Sequence, residues 1–339
     1  MCLNIKNTIL SIFLALVISF LFLIFITESY SQAQFGDEKN NISNQDLDFY
    51  SKIVEEKKEK IFLIGSSQIG RFNETYIQDF LRNRGEDYEV YNLAFSADTP
   101  KSRLDIIDEF LELKPSIIIY GIGYRDFADL KLLSELEKPD NILPNPERIS
   151  TIIFTSIENN TKLDFKSLKS PKSITVKLLK NLIGQEENNA SIIIRPNAPF
   201  YHIDESNQLI LNDYELKRSM AVFPYKLDSI EPIGTNDYVK SLKEIINKIQ
   251  SKGITLIIVT TPYSQYYLDE ISEKNKIQFD LIINSLSNEY KISIYKFHNK
   301  FVNENIWNTN DHIAFGGSNI LPNVELAKII SIQLMSNAI

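Results

Sequence analysis

The sequence predicts an α/β protein in three layers, with a parallel sheet covered by helices on both faces. Apolar, β-branched runs such as KIFLIGSS (60–67) and GITLIIVTTP (253–262) alternate with segments whose apolar residues recur at helical spacing. Strands that are apolar throughout are typical of parallel sheets, because helices bury both of their faces. With 339 residues, of which 43% are hydrophobic, the chain is long enough to bury a large core.

Five strands and four helices are predicted from this alternation. The strands span residues 60–67, 88–96, 115–123, 253–262 and 291–297, and the helices lie at about 74–84, 101–114, 274–287 and 319–336. Gly85 is a stop signal for the first helix. Between about 131 and 236 the alternation lapses into turn-rich sequence with one short helical piece near 173–183, so we interpret this segment as an insertion on the sheet.

The N-terminal part predicts a membrane protein with a single span. Residues 8–27 carry no charge and are long enough to cross a bilayer. Because Lys6 precedes this run and acidic residues follow it, residues 1–7 are expected to stay cytoplasmic and the rest to lie outside the cell membrane. An uncleaved anchor is favoured, and a signal peptide cleaved near Ala33 is the alternative. Residues 28–57 are predicted to form a polar stalk with a short helix near its end, and the folded α/β domain is expected to span 58–339.

Composition disfavours several classes of partner. A net charge of -8, with basic residues scattered among acidic ones, does not suit a nucleic-acid-binding protein. A single cysteine, Cys2, excludes an intramolecular disulfide, and three histidines leave little material for a zinc site. We therefore expect no metal and no cofactor.

The unusual polar residues follow the predicted strands. Ser66 and Ser67 end the first strand, and the segments NLAFSADTP (92–100), GIGYRDF (121–127) and WNTNDHIAFGG (307–317) follow other strands or the last one. In a doubly wound sheet the carboxyl ends of the strands form the edge where ligands bind. A serine at that edge either caps the following helix or acts as a nucleophile.

Taken together, these segments resemble the SGNH, or GDSL-type, esterase and acyltransferase superfamily, especially extracytoplasmic members linked to polysaccharide acyl modification. The resemblance covers about residues 58–339 without the insertion and implies a five-stranded sheet with flavodoxin-like strand order. It places Ser67 at the position of the nucleophile and His312 at that of the catalytic base. Ala97 stands where the family has an oxyanion-hole glycine, whose backbone N–H an alanine can also supply.

Two positions depart from the family pattern. Arg125 replaces the oxyanion-hole asparagine, so it could donate to an oxyanion, hold an anionic substrate, or form an ion pair with Asp126 or Asp129. Thr309 stands where the catalytic acid is expected. Asp311 could replace that acid only if the chain turns back, because neighbouring residues of an extended segment point in opposite directions. Otherwise Asn308, Asn310 or a backbone carbonyl would hold His312, leaving a Ser-His dyad.

The tyrosines of VTTPYSQYY (259–267) have two interpretations. Tyr263, Tyr266 and Tyr267 could line a sugar-binding cleft or pack on the insertion.

The predicted function is that of a membrane-anchored SGNH-like serine esterase or O-acyltransferase. Its substrate would be an acyl ester, most simply of an extracytoplasmic glycan, and a membrane acyltransferase is a candidate partner. The alternative is a noncatalytic member of the superfamily that binds envelope glycan or scaffolds such a partner. The departures at Arg125 and Thr309 are what support that alternative.

Overall fold

The computed structural model describes residues 44–128, 192–193, 195–199, 203–222, 229–316 and 320–337. The strands are β1 (Glu59–Gly65), β2 (Tyr88–Asn92), β3 (Ile117–Ile122), β4 (Ile192–Ile193), β5 (Ile203–Asp204), β6 (Thr255–Thr260), β7 (Ser293–Lys296), β8 (Trp307–Thr309) and β9 (His312–Ile313). The α-helices are α1 (Asn44–Glu55), α2 (Ser67–Gly70), α3 (Glu74–Arg82), α4 (Pro100–Leu104), α5 (Ile107–Glu112), α6 (Asp213–Val222), α7 (Asp237–Ser251), α8 (Gln265–Glu270), α9 (Glu273–Tyr290) and α10 (Ile320–Asn337). Short 3₁₀ helices cover Tyr124–Phe127 and Glu205–Gln208.

Five strands form one parallel sheet in the order β2-β1-β3-β6-β7. Every neighbouring pair in this sheet is parallel, and the register places Gly65 of β1 opposite Gly121 of β3. This is the flavodoxin-like order, in which the chain moves outward in one direction from β1 and then in the other. The predicted three-layer α/β class and the predicted strand order are both confirmed.

Alternate residues of each strand fill two separate cores. On one face Phe62 and Ile118 pack with buried residues of α5, α7 and α9. On the other face Ile61 and Ile119 pack with buried residues of α3 and α10. Successive side chains of a strand point to opposite faces, so a continuous apolar run serves both cores.

The folded part of the chain begins before the predicted boundary at residue 58. Helix α1 buries Phe49, Tyr50 and Ile53 in the first core, where the ring of Phe49 lies 6.1 Å from that of Tyr91. Burial of side chains of this size stabilises a fold by roughly 1.5–3 kcal/mol each. The segment interpreted as the end of a stalk is therefore an integral helix of the domain.

Other elements also differ from the sequence prediction. The helix predicted at 101–114 is divided into α4 and α5, and α7, capped by the Asn236 side chain, was not predicted. The predicted span 8–27 and the predicted helical piece at 173–183 lie outside the described residues. Within the ranges given above, none of the helices combines the length and the apolar character that crossing a bilayer requires.

One described part of the predicted insertion, around Arg195, packs on the turn that follows Ser67. Arg195 is buried, donates to the carbonyl oxygens of Gly70 and Phe72, and forms an ion pair with Glu74 at the start of α3. From the other side Asn92 of β2 also donates to the Phe72 carbonyl oxygen, at 3.0 Å. These bonds hold the short α2 turn rigidly against the sheet edge.

Candidate active site

The turn after β1 presents Ser67 at the carboxyl edge of the sheet. Gly65 has a φ of 130°, and a Cβ there would lie 2.4 Å from the Gly121 carbonyl oxygen, so only glycine fits. Ser66 occupies the N-cap position of α2, but its side chain makes no capping hydrogen bond. Because α2 is a single turn, its dipole is small, and the backbone N–H groups at its start are the relevant donors to an anion.

Ser67 is in hydrogen-bond contact with His312. The Ser67 Oγ lies 2.8 Å from His312 Nε2, although the two residues are 245 positions apart in the chain. The predicted contact between these side chains is therefore present. Their catalytic roles stay predictions, since the distance establishes only that a proton can pass between them.

A tight turn brings Asp311 onto the opposite side of the same imidazole. Strands β8 and β9 pair antiparallel and are joined by Asn310 and Asp311, so the chain reverses there and is not extended. Asp311 Oδ1 lies 2.9 Å from His312 Nδ1. The condition set by the sequence is met, and Asp311 is the carboxylate that orients the imidazole.

Thr309 takes part in this arrangement. Its Oγ1 donates to Asp311 Oδ1 at 2.9 Å and lies 3.1 Å from His312 Nδ1. The two asparagines weighed as substitutes are engaged elsewhere, since Asn308 donates to the Ser206 and Leu209 carbonyl oxygens and the Asn310 side-chain oxygen accepts from Ser264. A hydroxyl therefore occupies the expected acid position and supports a carboxylate supplied two residues later.

Asp311 is held ionised by its neighbours. The residue is 1% exposed, and burial alone would raise its pKa. The attraction and hydrogen bond of His312, the charge of Arg125 and the Thr309 hydroxyl together outweigh burial, so the pKa of the Asp311 carboxyl lies well below its usual range. A carboxylate that stays charged can stabilise an imidazolium at its other side.

Arg125 pairs with this carboxylate and also borders the serine. Its Nη1 lies 3.2 Å from Asp311 Oδ2, and 24% of its side chain is exposed. The pairing partner is thus Asp311 and not the predicted neighbour Asp126, whereas Asp129 lies outside the described residues. Arg125 nevertheless lines a small pocket together with Ser67 and Ala97. The sequence left two alternatives for Arg125, an ion pair or a place in the active site, and the structure shows both for this side chain.

Ala97 has a left-handed backbone conformation. Its φ is 55°, in the left-handed region that glycine adopts freely and that costs an alanine roughly 1–2 kcal/mol. The loop is fixed by Asp98, whose buried carboxylate pairs with Arg103, and by Thr99, which forms a capping box with Ser102 at the start of α4. Thr99 is the N-cap residue of α4.

Asp126 is a second buried carboxyl beside the pocket. Its Oδ2 accepts the Gly123 N–H at 2.6 Å. Burial raises the pKa of Asp126 to about 7; the Gly123 N–H and the charge of Arg125 oppose the rise, and the nearby Asp98 adds to it. Asp126 therefore titrates near neutral pH, within the wall of the site.

Gln68 is a site residue that the sequence analysis missed. Its Nε2 donates to the Asp311 carbonyl oxygen at 3.1 Å, while its Oε1 accepts from Thr261 Oγ1 at 2.7 Å and from Tyr263 Oη at 3.2 Å. A Cβ on Gly123 would lie within 2.1 Å of the Tyr263 hydroxyl, so this glycine leaves room for the network. Nothing in the sequence around Gln68 signals this role, because its partners are almost 200 or more residues away.

The tyrosines after β6 serve mainly as packing. Tyr263 and Tyr267 are 0% and 1% exposed and stack on each other with centroids 4.7 Å apart. They cannot line a sugar-binding cleft, which corrects that part of the prediction. Tyr266 remains partly exposed, on a different groove.

Of the metal-binding side chains in the described ranges, no three lie close enough together to hold a metal ion. The chemistry that the described site offers is that of its hydroxyl, imidazole, carboxylate and guanidinium groups.

Fold and site together define an α/β protein with a hydrogen-bonded Ser–His–Asp chain at the carboxyl edge of a flavodoxin-like sheet. No family model matches the chain, and no curated protein matches its sequence. Among solved structures, TesA is 10% identical with a TM-score of 0.38, and the match covers 79% of this chain and 99% of TesA. The acetyl xylan esterase AlAXEase is 12% identical with a TM-score of 0.39, over 83% of this chain and 100% of that protein.

Proposed function

We propose that the protein is a serine esterase or O-acyltransferase that forms an acyl-enzyme on Ser67. One observation carries the proposal: Ser67 Oγ lies 2.8 Å from His312 Nε2, while His312 Nδ1 lies 2.9 Å from the buried carboxylate of Asp311. A nucleophile bonded to a base, which a third group orients, is the arrangement that acyl transfer requires. Its position at the carboxyl edge of the sheet is where substrates meet such folds.

The first half of the reaction acylates the serine. Ser67 Oγ attacks the ester carbonyl while its proton passes to His312 Nε2, and Asp311 stabilises the resulting imidazolium. The oxyanion of the tetrahedral intermediate is held by the backbone N–H groups of Ser67 and Ala97. When the intermediate collapses, the C–O bond to the alcohol breaks and His312 returns the proton to the departing oxygen.

The second half decides between hydrolysis and transfer. His312 takes a proton from the acceptor hydroxyl, which belongs to water in an esterase and to a sugar in a transferase, while the acceptor oxygen attacks the acyl carbonyl. The bond between that carbon and Ser67 Oγ then breaks, and His312 returns the proton to Ser67 Oγ. Arg125 has two roles in this scheme. It keeps the Asp311 carboxylate fixed, and it adds a positive charge to the wall of the pocket in which the oxyanion forms.

The natural substrate in this proposal is an acylated glycan outside the cytoplasmic membrane. The uncharged segment 8–27 and the resemblance to extracytoplasmic acyl-modifying proteins support it. In this setting residues 8–27 anchor the chain, residues 1–7 stay cytoplasmic, and a membrane acyltransferase is the partner that supplies the acyl group. Protease added to intact cells and, as a control, to lysed cells tests the location directly. Digestion of the domain in intact cells would support the location, and digestion only after lysis would contradict it.

Trapping of the acyl-enzyme tests the proposal. The full chain in detergent is mixed briefly with p-nitrophenyl acetate, quenched in acid, digested and analysed by peptide mass spectrometry. Acetylation of the peptide that contains Ser67, together with a burst of p-nitrophenol, is the expected result. His312→Ala should suppress both, whereas Ser66→Ala should leave both in place. A folded protein with neither burst nor acetylated peptide would exclude the serine-nucleophile mechanism.

The noncatalytic alternative retains one supporting observation, the guanidinium of Arg125 where the superfamily has an amide. The loss of the acid at Thr309 no longer supports it, because Asp311 supplies a carboxylate to His312. Glycan binding by a protein that forms no acyl-enzyme would favour this second function.

A further inference from the structure

A polar groove with aromatic residues lies beside the hairpin that carries His312, and Trp307 of that hairpin forms part of its wall. The described residues enclose a volume of about 690 Å³ there, within the range of small-ligand sites. Its walls come from the start of α6, the start of α8 and the segment between β7 and β8. The side chains that matter most for its chemistry are Asp213, Tyr214, Gln265, Tyr266, Glu304 and Trp307.

The groove has the polarity of a site for neutral hydroxyl compounds. Its described lining includes four amides (Asn212, Gln265, Asn303 and Asn305) and two carboxylates (Asp213 and Glu304), with no basic side chain. Amides offer both donors and acceptors, and carboxylates accept strongly from hydroxyls. The Lys217 ammonium lies over the Tyr266 ring, but the carboxylates of Asp213 and Glu304 outnumber it, so the groove disfavours phosphate, sulfate or uronate groups.

Aromatic rings supply the complementary apolar surface. Tyr214 is 72% exposed, so its ring is available for stacking against the C–H face of a sugar. The Lys217 ammonium lies over the Tyr266 ring, 5.4 Å from its centroid, so Tyr266 contributes its edge and a hydroxyl that bonds with Asp213. Trp307 forms part of the wall, and its buried Nε1–H has no acceptor among the described residues.

The buried Asn310 side chain forms hydrogen bonds between the groove and the turn that carries Asp311. The Asn310 side chain donates to the Leu216 carbonyl oxygen at 3.0 Å and accepts from Ser264 Oγ at 3.0 Å, and Leu216 and Ser264 both line the groove. The Asn310 backbone carbonyl oxygen also accepts the Ser264 N–H, at 3.0 Å. Because Asn310 directly precedes Asp311, two walls of the groove are anchored to the turn that holds the catalytic carboxylate.

We propose that this groove binds the chain of a neutral polysaccharide whose acyl group reaches Ser67, which gives the enzyme a glycan subsite separate from its reacting atoms. The inference rests on the proposed function for the acyl chemistry but not for the binding. The groove recognises uncharged sugar residues through Tyr214 stacking and through the amides and carboxylates around it. Anionic polymers are excluded by Asp213 and Glu304.

Binding is measured on the full-length Ser67→Ala protein, so that no ester is turned over. The detergent is lauryldimethylamine oxide, because maltoside detergents carry sugar head groups that would compete. Saturation-transfer NMR and calorimetry are run with hexasaccharides of xylose, mannose, glucose and N-acetylglucosamine, and with a galacturonate hexasaccharide as the anionic probe. We expect at least one neutral hexasaccharide to bind and the galacturonate probe not to bind.

Three variants then locate the binding site. Tyr214→Ala should weaken binding of the neutral hexasaccharide about tenfold, since it removes the stacking ring, and the exposure of Tyr214 leaves the fold intact. Tyr266→Phe keeps the ring and should weaken binding less than Tyr214→Ala does. Ile277→Ala is the matched control, because Ile277 is also exposed, at 54%, and lies on α9 outside the groove. It should bind like the parent protein.

The outcomes separate this inference from the proposed function. Failure of every neutral hexasaccharide to bind, preferential binding of galacturonate, or equal affinity in Tyr214→Ala and Ile277→Ala would each overturn the groove as a glycan site. Neutral-glycan binding that Tyr214→Ala weakens, in a chain that forms no acyl-enzyme on Ser67, would overturn the esterase proposal and leave the groove standing. Formation of an acyl-enzyme by a chain that binds no glycan would support the esterase proposal and overturn the groove as a glycan site.

Discussion

Replacement of Arg125 by alanine should affect both stability and activity, and the size of each effect distinguishes its two roles. The Arg125 guanidinium is the hydrogen-bond donor to Asp311 Oδ2, at 3.2 Å. Asp311 is almost fully buried, and a buried acceptor that loses its donor costs about 1–3 kcal/mol. A domain of this size loses about 2–4 °C in melting temperature per kcal/mol, so we expect a decrease of about 2–12 °C.

The stability effect should depend on pH in a defined direction. The pKa of Asp311 is depressed in the folded protein, so its contribution to stability is present above the unfolded value of about 4 and is lost as pH falls toward the folded value. Removal of the Arg125 charge raises the folded pKa of Asp311 and reduces this contribution. The difference in melting temperature between parent and Arg125→Ala should therefore be largest above about pH 5 and should shrink below about pH 4.

A double-mutant cycle isolates the pair. Melting temperature and p-nitrophenyl acetate turnover are measured on the same preparations of Arg125→Ala, Asp311→Asn and the double variant. In the Asp311→Asn background, Arg125→Ala should cost less than about 0.5 kcal/mol, because the ion pair is already gone. Arg82→Ala is the control, since its ion pair with Asp79 is exposed and should contribute at most about 0.5 kcal/mol.

Turnover decides whether Arg125 also acts on the oxyanion directly. If it acts mainly through Asp311, Arg125→Ala should lower turnover about tenfold and have little further effect in the Asp311→Asn background. A direct oxyanion donor contributes on the order of a hundredfold or more. A hundredfold loss that persists in the Asp311→Asn background, with an unchanged melting temperature, would refute the view that Arg125 works through the catalytic acid.

Three further predictions concern residues around the same site. Gln68→Leu removes the hydrogen-bond donor to the Asp311 carbonyl oxygen. In steady-state kinetics it should lower kcat about tenfold with little change in KM. A change confined to KM would show that Gln68 does not position Asp311. Ala97→Gly relieves the left-handed conformation and should raise the free energy of unfolding by up to about 1 kcal/mol in urea titrations while activity is retained; destabilisation would contradict the assigned backbone conformation. The pKa of Asp126 is raised to about 7, so its contribution to stability is lost as pH rises from about 4 through 7. Asp126→Asn should therefore flatten the dependence of melting temperature on pH across that window. Identical slopes for the parent protein and Asp126→Asn would disprove this titration.

The fold could be predicted because its elements are locally encoded. Continuous apolar runs fix the five strands, and the positive φ of Gly85, at 83°, ends α3 where the sequence signals a stop. Helix α1 was assigned to a stalk because its apolar residues, among them Phe49, Tyr50 and Ile53, form one short group at the end of a long polar segment. Their burial depends on Tyr91 and other distant partners that a local pattern does not contain.

The parts of the site that could be predicted are single residues at or after the end of a strand. Ser67 and His312 were assigned from the resemblance of the segments around them to the SGNH superfamily, and their contact, 2.8 Å between Ser67 Oγ and His312 Nε2, agrees with that assignment. The partners of these two residues depend on turn geometry. Asp311 reaches His312 only because a two-residue turn reverses the chain, and Arg125 reaches Asp311 across 186 positions. Such long-range pairings are set by tertiary packing and leave no periodic signal in the sequence.

The proposed mechanism requires Ser67 to be an activated nucleophile. A fluorophosphonate probe reacts covalently with such a serine and therefore measures this property of Ser67. The full chain in detergent is treated with the probe, and labelling is followed by in-gel fluorescence at several pH values. Labelling should disappear in Ser67→Ala, persist in the adjacent Ser66→Ala, and weaken strongly in His312→Ala and Asp311→Asn. Labelling that survives Ser67→Ala, or no labelling of a protein whose melting curve shows it to be folded, would contradict the mechanism.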